Sequence, residues 1–177
     1  ELSRGNYEAA IELAIRARDD AHRLGDVTSE AKMEIGIGQA RIAQGLCAEA
    51  IEILNRAKER LRAAGNTNGE AECLWLLGRA HCESGQLAEA RKLLEKASGL
   101  ILEVGDRDDE FRVLTDSARL ALAEGDGQTA LQLAEKAARI AEELGNRDGL
   151  GTALVEQARA FQMLNHNKDA LAAIERA

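Results

Sequence analysis

Small and apolar residues return along this chain at a fixed interval of forty positions. Alanine recurs at Ala10, Ala50, Ala90, Ala130 and Ala170, and again at Ala17, Ala57, Ala97, Ala137 and Ala177. A third column runs Gly38, Gly78, Ala118 and Ala158, with Leu74, Leu114 and Leu154 one helical turn before its last three members. A small side chain at one place in every unit lets two helix axes approach closely, and the large apolar residue a turn away fills the space around it. Glycine punctuates the same frame at Gly5, Gly45, Gly85 and Gly125, with Asn165 in the fifth place. A second series falls halfway between, at Gly25, Gly65, Gly105 and Gly145, each followed by an Asp or Asn (Asp26, Asn66, Asp106, Asn146). Glycine accepts the left-handed conformation that ends a helix, and the Asx residue after it accepts hydrogen bonds from the opening N–H groups of the next. The spacing therefore predicts two helices per repeat, of about 17 residues and about 26 Å each.

The expected architecture is an all-α solenoid of antiparallel helix hairpins. It would run through residues 1–177 as a single body, with 1–25 as the second helix of a partial repeat. Full repeats would follow at 26–65, 66–105 and 106–145, and 146–177 would be a truncated last repeat. In solenoids each repeat covers the apolar face of its neighbour, and terminal repeats usually carry a polar cap. Neither end shows one. The expectation is a segment of a longer superhelix, or open ends that pair with another copy.

Composition narrows the class further. Of 177 residues, 45% are hydrophobic but only 2% aromatic, and there is no proline, which disfavours a β-sandwich or barrel. The abundance of Ala and Leu and the 31% of charged residues favour helices. The net charge of −8 speaks against a duplex nucleic-acid surface, which needs a basic footprint. No apolar run approaches the roughly 20 residues that span a bilayer. The opening residues, Glu1 to Tyr7, have neither the charged nor the apolar region of a signal peptide. Three cysteines, an odd number, point to a reducing compartment, so a cytoplasmic location is expected.

The repeat resembles the tetratricopeptide repeat family, whose pattern has a small residue in the first helix, a glycine at the hairpin turn and two later alanines. Here these are Gly78, Gly85, Ala90 and Ala97, and then Ala118, Gly125, Ala130 and Ala137. The forty-residue period resembles the longer-helix branch of LGN/Pins-type adaptors, kinesin light chains and the sensor arms of some bacterial regulators. The chain departs from the family pattern in two ways. Arg41 and His81 stand at aromatic filler positions, and the closing proline is replaced by the Gly-Asp/Asn junction. The resemblance implies a right-handed TPR-like superhelix, a protein–protein interaction role as scaffold, adaptor or signalling arm, and no cofactor.

It also implies which residues would line a concave groove. Carried onto this sequence, the family's groove positions give the column Gln39, Arg79, Arg119 and Arg159, with Lys32, Trp75, Arg112, Thr115, Val155 and Gln162 around it. Arginine presents a planar fork that fits a carboxylate with two hydrogen bonds. The expected ligand is therefore an extended acidic peptide, with Trp75 as a surface for one apolar anchor. The competing reading pairs Arg119 with Asp116 and Arg159 with Glu156 along their own helices, at about 0.3–0.5 kcal/mol each. Arg79, with Glu83 four residues later in the less favourable orientation, would be the least neutralised. Trp75 would, on the same competing reading, simply fill space between helices.

Other candidate chemistry is thin. His81 and Cys82 are adjacent and point about 100° apart on a helix, so they cannot chelate one ion, and no metal site is expected. At least two of the three cysteines are expected to be buried and inert. Gly36-Ile37-Gly38 has a fragment of a phosphate-loop pattern but follows no strand. No nucleophile, base and orienting group fall on a shared face, so no enzyme is expected; any catalysis would come from a domain outside these residues. The alternative function is a self-assembly segment that associates through its terminal helices, with Ile11, Ala14 and Ile15 in the contact.

Overall fold

The computed structural model describes residues 2–177, with side chains from residue 7 onward. Among the described residues the chain is entirely helical: α1 (Leu2–Leu24), α2 (Val27–Ala43), α3 (Cys47–Ala63), α4 (Thr67–Glu83), α5 (Leu87–Val104), α6 (Arg107–Ala123), α7 (Gly127–Leu144), α8 (Arg147–Met163) and α9 (Asn167–Arg176). Seven glycines, from Gly25 to Gly145 at twenty-residue steps, have positive φ, and Asn165 joins them at φ 62°. Gly5, the first of the expected series, lies inside α1 among the residues whose side chains fall outside the described set.

The helix ends follow from this punctuation. At Gly145 the amide of Asn146 reaches back to the Ala141 carbonyl at 2.9 Å, and Gly145 itself donates to Glu142 at 3.1 Å. These two bonds satisfy carbonyls that the helix leaves open, and they require the left-handed conformation at the residue between. Asn165 takes that conformation in the same geometry, as His166 donates to Phe161 at 2.8 Å. On the entering side, Asp26, Asn66, Asp106 and Asn146 each accept from the backbone N–H three residues on, at 2.8–3.0 Å. Asp126 caps α7 in the same way through Thr129.

The chain divides into two compact units, residues 1–100 and 101–177. In the first, α1, α2, α3 and α4 pack in succession, and α2 also meets α4 directly. In the second, α6 to α9 pack in succession and α6 meets α8. The alanine columns lie where these helices cross: Ala50, Ala57, Ala90, Ala97, Ala130 and Ala137 are fully buried. Ala10 and Ala17 of α1 are exposed instead. Arg41, at an aromatic filler position, bridges Glu8 of α1 at 3.0 Å and Glu49 of α3 at 3.3 Å, so an ionic staple stands where an apolar ring would.

In two hairpins the small residue of the first helix lies directly against a leucine of the second. A Cβ at Gly38 would lie 2.7 Å from Leu54 Cγ, and one at Gly78 would lie 2.7 Å from Leu94 Cγ. Forty residues later the small position is Ala118, and the place of Leu54 and Leu94 is taken by the buried Ala134. Glycine therefore faces leucine in the first two hairpins, while the same two places hold Ala118 and Ala134 in the third and Ala158 and Ile174 in the fourth.

This complementarity is testable. Gly78→Ala should lower stability by about 1–2 kcal/mol in urea denaturation, because Leu94 has no room to move. Gly99→Ala, on α5 with nothing within 4 Å of the added carbon, should be neutral or stabilising by up to about 1 kcal/mol. Combining Gly78→Ala with Leu94→Ala should cost clearly less than the sum of the two single changes.

Candidate interaction surface

The residues expected to line a groove all fall on the first helix of a hairpin. In unit one, Lys32 and Gln39 lie on α2, and Trp75 and Arg79 on α4. In unit two, Arg112, Thr115 and Arg119 lie on α6, and Val155, Arg159 and Gln162 on α8. The direct contacts of α2 with α4 and of α6 with α8 make these helices neighbours within their units.

Lys32, Gln39, Arg112, Arg159 and Gln162 are exposed, as the groove assignment requires of them. Trp75 is not: it is 5% exposed, in a run from Cys73 to Gly78 that is buried without interruption. The expectation of an apolar platform there is corrected. α4 packs against both α3 and α2, so it is enclosed, and an indole at this point fills space between helices. Thr115 is buried as well, its hydroxyl donating to the Phe111 carbonyl at 2.9 Å. Arg79, expected to be the least neutralised, donates from Nε to Glu83 at 3.0 Å.

In unit two the arginines meet carboxylates that the structure buries. Arg119 donates to Asp116 at 2.9 Å on its own helix and to Glu156 of α8 at 2.7 Å, while Arg159 donates to the other oxygen of Glu156 at 3.2 Å. Glu156 is 2% exposed. Burial works against the charge of Arg119, but the hydrogen bond to Glu156 and the charges of Asp116 and Glu156 outweigh it, leaving its pKa above the ordinary arginine value. Two turns earlier Arg112 donates to Asp109 at 3.3 Å, and burial pushes the Asp109 carboxyl above its ordinary value. The along-helix pairs of the competing reading are therefore present, and Glu156 extends them into a link between α6 and α8.

Unit one holds a second ionic cluster that the sequence reading missed. Glu30 and Glu34, both buried on α2, share the Arg60 Nη1 atom of α3 at 2.7 and 2.8 Å, and His22 of α1 approaches Glu30 at 3.2 Å. Arg56 stands 3.8 Å from Glu34. A signal for it was present: Glu34 occupies the column of Leu74, Leu114 and Leu154, where an acid must find a buried partner.

The thiols divide differently from expectation. Only Cys73 is buried, while Cys47 and Cys82 are half-buried. Burial pushes the Cys73 thiol up to about 12. Gly36 to Gly38 lie inside α2, with Gly38 against Leu54. Among the described residues no group of three or more His, Cys, Asp or Glu could hold a metal ion, and no helix is long and apolar enough to cross a membrane.

Fold and surface together define a helical-repeat protein, an α-solenoid built of hairpins with charged first helices. Residues 29–101 match the family described as tetratricopeptide repeat. No curated protein sequence matches the chain. Among solved structures, a Podosopora anserina protein described as a kinesin light chain with nearly identical TPR-like repeats is similar at 20% identity. That match covers 97% of this chain and 92% of the other, with a TM-score of 0.67. BtubC (BKLC) from P. vanneervenii is similar at 15% identity over 96% and 89%, with a TM-score of 0.56. The MamA protein is similar at 16% identity over 96% and 90%, with the same score. The tetratricopeptide repeat match thus spans residues 29–101, and the fold of the chain is that of a TPR-like helical solenoid. Proteins built of this repeat generally mediate protein–protein interaction.

Two measurements check the site. Glu156→Gln should destabilise by on the order of 2 kcal/mol in urea, since it removes a buried acceptor from two guanidinium groups. Glu83→Gln, at a more exposed pair, should change stability by less than about 1 kcal/mol. With a thiol reagent at pH 8, Cys47 and Cys82 should react in the native chain and Cys73 only on unfolding.

Proposed function

We propose that the chain is a non-catalytic protein–protein interaction scaffold, an adaptor or regulatory arm that binds an extended acidic peptide along its first helices. The frame of this reading is the repeat division 1–25, 26–65, 66–105, 106–145 and 146–177 within one solenoid. Its location is taken as the cytoplasm, in keeping with three free cysteines.

The observation that supports it most is the convergence of Arg119 and Arg159 on Glu156. A buried carboxylate fixes the arginine stems, while the Arg159 side chain remains 60% exposed and that of Arg112 48%. A guanidinium already held in place loses less rotamer freedom when a ligand carboxylate arrives. Lys32, Gln39, Arg79 and Gln162 supply further donors, and the buried Trp75 supplies no anchor, so affinity rests on charge and falls with salt.

The alternative is association of copies through α1 and α9. It draws on the exposure of Leu13 at 66% and of Leu171 at 62%. Ile11, expected in that contact, is buried at 2%, and Ala14 and Ile15 are half-buried, which moves the contact on α1 to Leu13.

Fluorescence anisotropy with labelled, extended Glu-rich peptides tests the leading reading. Binding should weaken between 50 and 300 mM salt, and the double variant Arg79→Ala/Arg159→Ala should weaken it about fivefold. Equal binding of a peptide with every Glu replaced by Gln would refute it. Light scattering over a hundredfold concentration range tests the alternative, which a constant monomer mass would remove.

A further inference from the structure

We propose that the groove between the first turn of α6 and the C-terminal half of α7, with Leu102 of α5 on its rim, docks a short acidic segment of a partner protein through one large aliphatic side chain. This goes beyond the extended-peptide reading and does not rest on it, because the groove is built from different residues, most of them on the second helix α7.

Each unit contains this groove, and the two fill it differently. In unit one the lining includes His22 of α1, Glu30 and Glu34 of α2, and Arg56 and Arg60 of α3. Those charges meet one another: Arg60 Nη1 lies 2.7 Å from Glu30 and 2.8 Å from Glu34, and His22 lies 3.2 Å from Glu30. Eighty residues on, Glu30 and Arg56 become Glu110 and Lys136, but His22, Glu34 and Arg60 become Leu102, Leu114 and Ile140. Unit two therefore has aliphatic side chains where unit one has an ionic network. Leu114 and Ile140 pack into one apolar cluster, whereas Leu102 is 63% exposed.

The place of Leu102 beside the groove follows from the register. His22 approaches Glu30, and Arg62 lies 3.1 Å from Glu70, so this position on a second helix faces the acid at the start of the next first helix. At Leu102 the cation is replaced by a leucine, and Glu110 is met instead by Arg107 of its own helix at 2.6 Å. The hairpin of Leu102 is complete, and complete hairpins precede and follow it in the chain, so its exposure does not arise at an open end.

The chemistry of the lining selects the occupant. A groove of about 180 Å³ is lined by Arg107, Glu110, Lys136, Arg139, Ile140 and Glu143. Small-molecule sites are larger, about 300–1,000 Å³, so this one takes a single side chain of a larger partner. Leu102 and Ile140 ask for an aliphatic one. Both carboxylates are already engaged, since Arg107 donates to Glu110 and to Glu143. Lys136 and Arg139 are exposed and have neither an ion pair nor a hydrogen bond among the described residues. The unmatched charge of the groove is thus positive, although the chain as a whole is acidic, and it fits carboxylates flanking the anchor. Glu103, next to Leu102 in sequence, is turned about 100° around α5. A second copy suits the groove poorly: its own acid-flanked leucine, Leu144, follows Glu143, which is itself part of the lining.

The probe is the peptide Glu-Glu-Leu-Glu-Glu, capped at both ends, titrated into the isotope-labelled full chain and followed by backbone amide shifts in NMR spectra. Saturable shifts are expected at Leu102, Lys136, Ile140 and Glu143. Replacing the peptide leucine by serine should weaken this binding about tenfold, the loss of one buried aliphatic side chain. Leu102→Ser in the chain should weaken it several-fold, and so should Lys136→Gln/Arg139→Gln, with circular dichroism confirming the fold of each. The shifts report the two surfaces separately: movement confined to Arg79, Arg112 and Arg159 overturns the groove and leaves the extended-peptide reading standing. The absence of saturable shifts in the groove, or binding indifferent to the peptide leucine, to Leu102→Ser or to Lys136→Gln/Arg139→Gln, also overturns the proposal. So does a concentration-dependent shift of the same amides in the chain alone, which would assign the groove to a second copy.

Discussion

The close approach of the two helices in each hairpin is the constraint on which the rest depends. It is met by a small residue on the first helix, Gly or Ala, rather than by one invariant residue. Gly38 lies against Leu54, Gly78 lies against Leu94, and Ala134 stands at the corresponding place opposite Ala118. The first helices also contact one another directly, α2 with α4 and α6 with α8. That contact sets which side chains reach a common surface and which become core. Trp75 and Thr115 fall on the core side, while Arg112 and Arg159 fall on the surface side.

The second organising element is charge placed inside the packing. Glu30 and Glu34 in unit one, and Asp116 and Glu156 in unit two, are buried acids that face arginines rather than water. Buried ion pairs contribute little net stability against well-packed apolar residues of similar size, yet breaking one is costly. Their consequence here is positional. A guanidinium held by a buried carboxylate has a fixed stem and a fixed direction, so an acidic protein of net charge −8 can still present ordered cations at its surface. The same pairing removes part of the positive field, so recognition depends on individual forks rather than on a diffuse basic patch.

The sequence alone determined the helices and their ends. The left-handed turns at Gly25 through Gly145 and at Asn165, and the side-chain caps at Asp26, Asn66, Asp106 and Asn146, are local interactions set by residues a few positions apart. The helical-repeat class followed, because a column such as Ala50, Ala90 and Ala130 has meaning only if helices cross at the same place in each unit. Only the tertiary structure decided the fate of the candidate site. Whether Trp75 is a platform or a filler depends on how deeply α4 is enclosed, and whether Arg119 is available depends on Glu156, thirty-seven residues away on another helix. Such contacts join residues on different helices, and their geometry is fixed by packing distances that a repeat pattern leaves open.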